Sequence, residues 1–110
     1  MRIPFSNPDE LYERFRLIGE DEAHAKAEAD RLEEQLKSVY AMLYLHSDGK
    51  TVDERKCAAY ASEVYKNHVE KMIVARELAN LAKAKKDAAQ VWFEASRSLE
   101  STRRAEIGMR

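Results

Sequence analysis

The stretch from residue 63 to residue 106 contains neither glycine nor proline. These two residues are the strongest local breakers of regular structure. Their absence over about 44 residues predicts one helix of roughly 66 Å. The whole chain of 110 residues has three glycines and two prolines, too few for the turns of a sandwich or barrel. Its charged content of 35% is typical of long helices, so the sequence predicts an all-α protein.

Two apolar stripes run along this predicted helix, one position apart, each with the alternating three- and four-residue steps of a coiled-coil seam. The first stripe comprises Val74, Leu78, Leu81, Ala88, Trp92, Ala95 and Leu99. The second stripe comprises Tyr65, Met72, Ala75, Ala79, Ala82, Ala89 and Phe93. Together they are wider than one partner helix can cover, so one stripe is expected to pack within the chain and the other against a second copy. The expected dimer seam is Met72, Ala75, Ala79, Ala82, Ala89, Trp92 and Phe93.

The N-terminal half predicts an extended leader over residues 1–7 and then two helices. The first covers residues 8–18, with Asn7 as N-cap and a proline at the first helical position, and ends or kinks near Gly19. The second covers residues 20–45. Its apolar positions form a single seam of Ala25, Ala29, Leu32, Leu36, Val39 and Leu43.

Between the long helices, Gly49 is the natural helix stop. The sequence Thr51-Val52-Asp53-Glu54 is a capping box that opens a short helix over 52–61, and Ser62 can cap the helix over 63–106. Residues 8–110 are therefore expected to form a single helical domain. Its predicted architecture is a long antiparallel, coiled-coil-like helical hairpin with short flanking helices, assembled into a dimeric bundle.

The net charge of −1 is the sum of an acidic N-terminal half and a basic C-terminal half of the chain. Residues 1–50 carry 7 Lys/Arg and 11 Asp/Glu, whereas residues 51–110 carry 12 and 9. An antiparallel register that places Val39 near residue 70 brings an acidic set opposite a basic one: Glu22, Glu28, Asp30 and Glu33 against Lys83, Lys85 and Lys86. The same register places two aromatic residues opposite three apolar ones: Trp92 and Phe93 against Phe15, Leu17 and Ile18.

One group of residues resembles a metal site. Glu20, His24 and Glu28 share one helix face at four-residue spacing. Helical bundles that hold two metals use Glu-x-x-His motifs on two helices. Here Asp21 and His24 give one such spacing and no second motif follows, so a solvated charged face explains these residues better.

The sequence offers little else for catalysis. Cys57 is the single cysteine, and His46 and His68 lie at either end of the same connection. A nucleophilic site also needs an oxyanion loop or a strand–turn–helix elbow, and neither pattern is present. The three glycines are isolated, which excludes a phosphate-binding glycine loop. We therefore expect no enzyme activity, no metal and no cofactor.

Basic residues concentrate in the last third of the chain, and phosphate contacts need such donors. The lysines are explained by the acidic helix opposite, which leaves Arg97, Arg103 and Arg104 as the possible DNA contacts. No run of about 18 apolar residues, secretory signal or basic amphipathic face indicates a membrane. The sequence predicts a cytoplasmic protein.

Several segments resemble small α-helical bacteriophage and prophage proteins of unknown activity, which are often encoded near phage recombination genes. The resemblance spans roughly residues 25–106 and is carried by these segments: Glu54-Arg55-Lys56, Ala59-Tyr60-Ala61-Ser62-Glu63-Val64-Tyr65, Trp92, Arg97-Ser98 and Arg103-Arg104-Ala105-Glu106. It implies an accessory role in phage DNA recombination or in countering host defence, in the host cytoplasm, and it transfers no catalytic residues.

The leading hypothesis is accordingly a non-enzymatic helical binding or adaptor protein that acts through protein–protein contacts and forms a homodimer. The alternative is a recombination accessory that binds DNA through the C-terminal basic segment.

Overall fold

The computed structural model describes residues 8–108. It contains three helices: α1 (Pro8–Leu45), α2 (Val52–Ala61) and α3 (Glu63–Gly108). No strand occurs among these residues, so the predicted all-α class is confirmed. α3 is continuous over 46 residues, as the absence of helix breakers predicts. The predicted extended leader over residues 1–7 lies outside the described residues.

The predicted break near Gly19 is wrong, because α1 runs through Gly19 without interruption. The backbone of Gly19 keeps a negative φ, and a glycine inside a helix costs only about 1 kcal/mol relative to alanine. Local ion pairs oppose that cost: Arg16 pairs with Glu13 at 2.8 Å on one side and with Glu20 on the other. The second pair spans the glycine.

The predicted capping box is confirmed at the start of α2. The Glu54 amide donates to Thr51 Oγ1 at 3.1 Å, and the Thr51 amide donates to Glu54 Oε2 at 3.4 Å. Arg55 ties the connection to α2, because its Nε donates to the Gly49 carbonyl at 3.0 Å. Ser62 separates α2 from α3 with extended backbone, and its Oγ accepts from the Val64 amide at 3.2 Å. The predicted start of α3 therefore also holds.

The described residues divide into two compact units. We name residues 24–80 the loop unit, because they include the connection through α2, and residues 8–23 with 81–108 the terminal unit. α1 and α3 each contribute to both units.

In the loop unit, α1 and α3 meet through alanines. Ala29 is fully buried and packs with Ala75 and Ala79, and Ala25 and Leu32 lie against this cluster. Arg76 bonds Asp30 at 2.9 Å and Glu33 at 2.7 Å. Asp30 and Glu33 were predicted to face lysines of α3. That prediction is wrong, because both carboxylates pair with Arg76.

A tyrosine cluster lies at the α2 end of the loop unit. The Tyr40 ring centroid lies 5.1 Å from that of Tyr60 and 6.4 Å from that of Tyr65. Burial, followed by its tyrosine neighbours, raises the pKa of the Tyr40 hydroxyl. Since residue 40 of α1 meets residue 65 of α3 whereas residue 29 meets 75 and 79, the two helices are antiparallel within this unit.

In the terminal unit, two contacts match the predicted register. Phe15 stacks on Phe93 with centroids 5.5 Å apart, and Lys86 Nζ lies 3.7 Å from Glu22 Oε2. A seven-residue step along α1 thus corresponds to a seven-residue step backwards along α3, as one antiparallel register requires. Leu17, which the prediction placed in the same apolar contact, is instead exposed.

Candidate functional site

The second apolar stripe of α3 packs against α1 of the same chain. Ala75 and Ala79 are buried against α1, and Phe93 stacks on Phe15. The other residues assigned to the dimer seam are half-buried: Met72, Ala82, Ala89 and Trp92. We therefore reassign this stripe to the intrachain seam. Small side chains allow close helix approach, and the signal for this pairing was present in the sequence, since Ala25 and Ala29 supply matching small residues on α1.

Four large apolar residues of the first stripe are consequently left exposed, namely Val74, Leu78, Leu81 and Leu99. In the loop unit, Val74 and Leu78 are 51% and 57% exposed. They border a cleft of about 650 Å³ between α1 and α3. Its apolar lining consists of Leu32, Val74, Ala75 and Leu78, and its polar lining of Glu28, Arg31, Gln35, His68, Glu70 and Lys71.

Two polar contacts of the cleft are fixed within the chain. Arg31 Nη2 donates to Glu28 Oε1 at 2.6 Å, and the hydrogen bonds and charge of Glu28 raise the pKa of Arg31. His68 Nε2 donates to the Leu32 carbonyl at 2.7 Å. The cleft thus combines an apolar floor with acidic and basic groups in equal number.

The structure gives the surroundings of each residue considered for nucleophilic catalysis. Cys57 is exposed. His46 Nδ1 bonds the Met42 carbonyl at 2.8 Å, and the imidazole of His68 bonds Leu32. Both histidines are thus engaged by helix carbonyls. Within residues 8–108 no group of three or more histidine, cysteine, aspartate or glutamate side chains could hold a metal ion.

The end of α3 presents a second uncovered surface, in the terminal unit. Every residue from 97 to 108 is exposed, and we name this stretch the C-terminal segment. Val91, Ala95 and Leu99 lead into it at four-residue intervals along one side of the helix. Val91 and Leu99 are 67% and 63% exposed, so this row forms an exposed apolar face of the helix.

The three candidate DNA-contacting arginines lie around the same part of α3. Arg97, Arg103 and Arg104 are all exposed. Glu100 lies three residues from Arg97 and Arg103 and four from Arg104, the spacings at which helix side chains meet. The arginines therefore share an acidic neighbour and do not form an uninterrupted basic face.

The Asp30–Arg76–Glu33 contact and the charged rim of the cleft could not be predicted from the sequence. Both depend on which apolar stripe of α3 packs against α1, and the spacing of the stripes does not decide that. Comparisons of the chain with protein-family models, with curated proteins and with solved structures gave no match. Among the described residues, no helix combines the length and apolar character needed to cross a membrane.

Proposed function

We propose that this chain is a non-enzymatic helical adaptor that acts through protein–protein contacts made by the end of α3. The observation that carries the proposal is the exposed row of Val91, Ala95 and Leu99. Anchors at such spacing are how an amphipathic helix docks into a hydrophobic groove of another protein. Burying a valine or leucine contributes about 1.5–3 kcal/mol, so two such anchors supply useful affinity.

The resemblance to phage and prophage proteins supports the biological setting of the proposal. In that setting the partner is a host protein, and the adaptor serves as a phage accessory or counters host defence in the host cytoplasm. The adaptor mechanism does not depend on this setting, because it rests on the exposed α3 row alone.

Binding of DNA through Arg97, Arg103 and Arg104 is the second candidate, favoured by the exposure of all three side chains. The C-terminal segment carries three arginines and two glutamates, so its local charge is nearly balanced. Counterion release on binding DNA grows with the number of phosphates neutralised. Glu100 and Glu106 reduce that number, and the adaptor mechanism is therefore the better supported.

A capture experiment separates the two candidates. The tagged chain is incubated with nuclease-treated bacterial lysate, beside Leu99→Glu and the double variant Arg103→Ala, Arg104→Ala. The adaptor mechanism predicts that a protein is retained by the wild type and by the arginine variant and is lost with Leu99→Glu. Ile107→Glu is the matched control, because Ile107 is 64% exposed but lies about 80° round the helix from Leu99.

A gel-shift assay at low salt tests the DNA alternative directly. A shift that weakens steeply with salt and disappears in the double arginine variant would replace the adaptor mechanism with DNA binding. Loss of the captured protein with Ile107→Glu and not with Leu99→Glu would overturn the assignment of the α3 row.

A further inference from the structure

α2 and α3 are separated by one residue, Ser62, and the chain on either side of it is helical. The φ of Ser62 is −65° and its ψ is 138°. An α-helix has φ of about −63° and ψ of about −42°, so only ψ departs from helical geometry. No glycine or proline occurs from residue 50 to residue 107, so neither residue type imposes the break. A rotation of roughly 180° about one bond of Ser62 would therefore join α2 and α3 in one helix.

The break leaves backbone groups of both helices without helical partners. The first amides of a helix have no preceding turn to donate to, and here the Val64 amide donates to Ser62 Oγ at 3.2 Å instead. The Ser62 amide donates to the Ala59 carbonyl at 3.3 Å, one residue short of the α-helical spacing. In one continuous helix the amides of residues 63–65 would donate to the carbonyls of residues 59–61. Joining the two helices thus adds backbone hydrogen bonds.

The contacts that hold α2 in its present position are small in area. Ala59 is buried and Arg55 is half-buried, whereas the other residues of α2 are exposed. The ring centroid of Tyr60 lies 5.1 Å from that of Tyr40 and 5.3 Å from that of Tyr65, yet Tyr60 is still 53% exposed. Most of the stability of a helix in a protein comes from packing of its apolar face. The stacking of Tyr60 on the tyrosine cluster is therefore a main attachment of α2.

The connection between α1 and α2 is long enough to allow the joined helix. Tyr40 of α1 contacts Tyr65 of α3, so the antiparallel register places Leu45 level with about residue 60. In a joined helix, Val52 would lie about 12 Å beyond that level and about 8–10 Å to the side, which makes a span of roughly 15 Å. The backbone from Leu45 to Val52 reaches about 23 Å when extended, so α1 need not unfold.

We propose that α2 is a lid on the tyrosine cluster, hinged at Ser62, which opens by joining α3 in one continuous helix. The structure shows the closed form, in which Tyr60 packs on the rings of Tyr40 and Tyr65. In the open form Tyr60 leaves, and the ring surfaces that it covers on these two tyrosines become accessible. The lid thus controls access to this end of the loop unit. The proposal is independent of the function proposed for the end of α3, because it uses none of those residues.

Substitutions at the hinge should favour one form or the other. The double variant Tyr60→Ala, Ser62→Ala removes the ring that holds the lid and the hydroxyl that caps α3, and it places the best helix former at the hinge. It should raise the open population at least tenfold. Adding Glu63→Pro should restore the closed form, because proline favours the first position of a helix, an extended residue before it and no place inside a helix. Adding Glu63→Ala is the matched control, since it removes the same carboxylate and should leave the double variant open.

NMR spectroscopy of the full chain reads the hinge directly. In the wild type, the Cα shift of Ser62 should be that of extended backbone, and relaxation dispersion should detect exchange with a helical minor form, since lid motions fall in the microsecond-to-millisecond range. In the double variant, residue 62 should have a helical Cα shift. Contacts from the α protons of residues 59–61 to the amides three residues later should appear at the same time.

Three results would overturn the proposal. The first is a wild type without exchange at Ser62, and the second is a double variant in which residue 62 stays extended. The third is a double variant in which residues 52–61 lose their helical shifts, because α2 would then unfold and not join α3. Closure by Glu63→Ala to the same extent as by Glu63→Pro would likewise contradict straightening as the mode of opening.

Discussion

Gly49 is surrounded closely by the start of α2. A Cβ placed there would lie 3.0 Å from the backbone nitrogen of Arg55 and 3.0 Å from Cβ of Glu54. Its φ is negative, so the requirement for glycine at this position comes from space and not from backbone conformation. Gly19 is the opposite case, because a Cβ there would meet nothing within 4 Å.

The two glycines therefore respond differently to alanine. Gly49→Ala should lower the free energy of unfolding by about 1–3 kcal/mol, as overpacking does. Gly19→Ala should raise it by about 1 kcal/mol, because alanine is the better helix former. Urea denaturation followed by circular dichroism measures both, and a stabilising effect of Gly49→Ala would contradict the contacts described for the loop.

A substitution at Ala79 distinguishes packing of the alanine stripe within the chain from packing between two chains. Because it is 5% exposed and packs on Ala29, Ala79→Glu should destabilise the folded chain by about 3 kcal/mol or more, through burial of an unpaired charge. Thermal unfolding measures the effect at low concentration. The exposed Ala84 gives the control Ala84→Glu, which should be nearly neutral. A folded Ala79→Glu monomer of unchanged stability would return Ala79 to an interchain seam.

At the scale of elements, the bounds of α2 follow from local chemistry. The capping box of Thr51 and Glu54 and the following Ser62 act over three or four residues, so the sequence alone predicts them correctly. The uninterrupted α1 was not predictable from Gly19, because the outcome depends on the summed propensity of 38 residues and on the Arg16 ion pairs. Similarly, both stripes of α3 have seam spacing, and only packing against α1 selects the alanine-rich one.

Arg76 should set the register between α1 and α3 in the loop unit. It holds Asp30 and Glu33 together at 2.9 and 2.7 Å and is itself 35% exposed. These hydrogen bonds, with Asp30 the first cause and Glu33 the second, raise the pKa of the guanidinium. Arginine side chains in any case stay protonated in proteins.

Arg76→Gln is expected to lower the free energy of unfolding measurably, because it removes an ion pair that joins two helices and is partly shielded from solvent. Lys37→Gln is the comparison, since Lys37 pairs with Glu34 within its own helix at 3.3 Å and both side chains are largely exposed. This variant should change stability by less than about 0.5 kcal/mol. Urea denaturation in parallel distinguishes them, and equal effects would show that the contact between helices adds nothing to register.

At the scale of the whole molecule, composition indicates that apolar surface is left exposed but not where it lies. An apolar content of 45% exceeds what the described residues bury, since only four alanines are buried among them and Val74, Leu78 and Leu81 are more than half exposed. The sequence predicts a surplus of apolar surface and hence self-association. The sequence could not identify which apolar surface stays exposed, because that depends on which face of α3 packs against α1.

Self-association, which the exposed apolar residues of α3 predict, would make thermal stability depend on protein concentration, because association stabilises the folded chain by mass action. A 100-fold dilution weakens that contribution by about 2.8 kcal/mol, which should lower Tm by roughly 5–10 °C for a dimer of this size. Differential scanning fluorimetry over a micromolar dilution series measures the shift. A wild-type Tm that stays constant on dilution would mean that the alanine core of the loop unit is sufficient without a second copy.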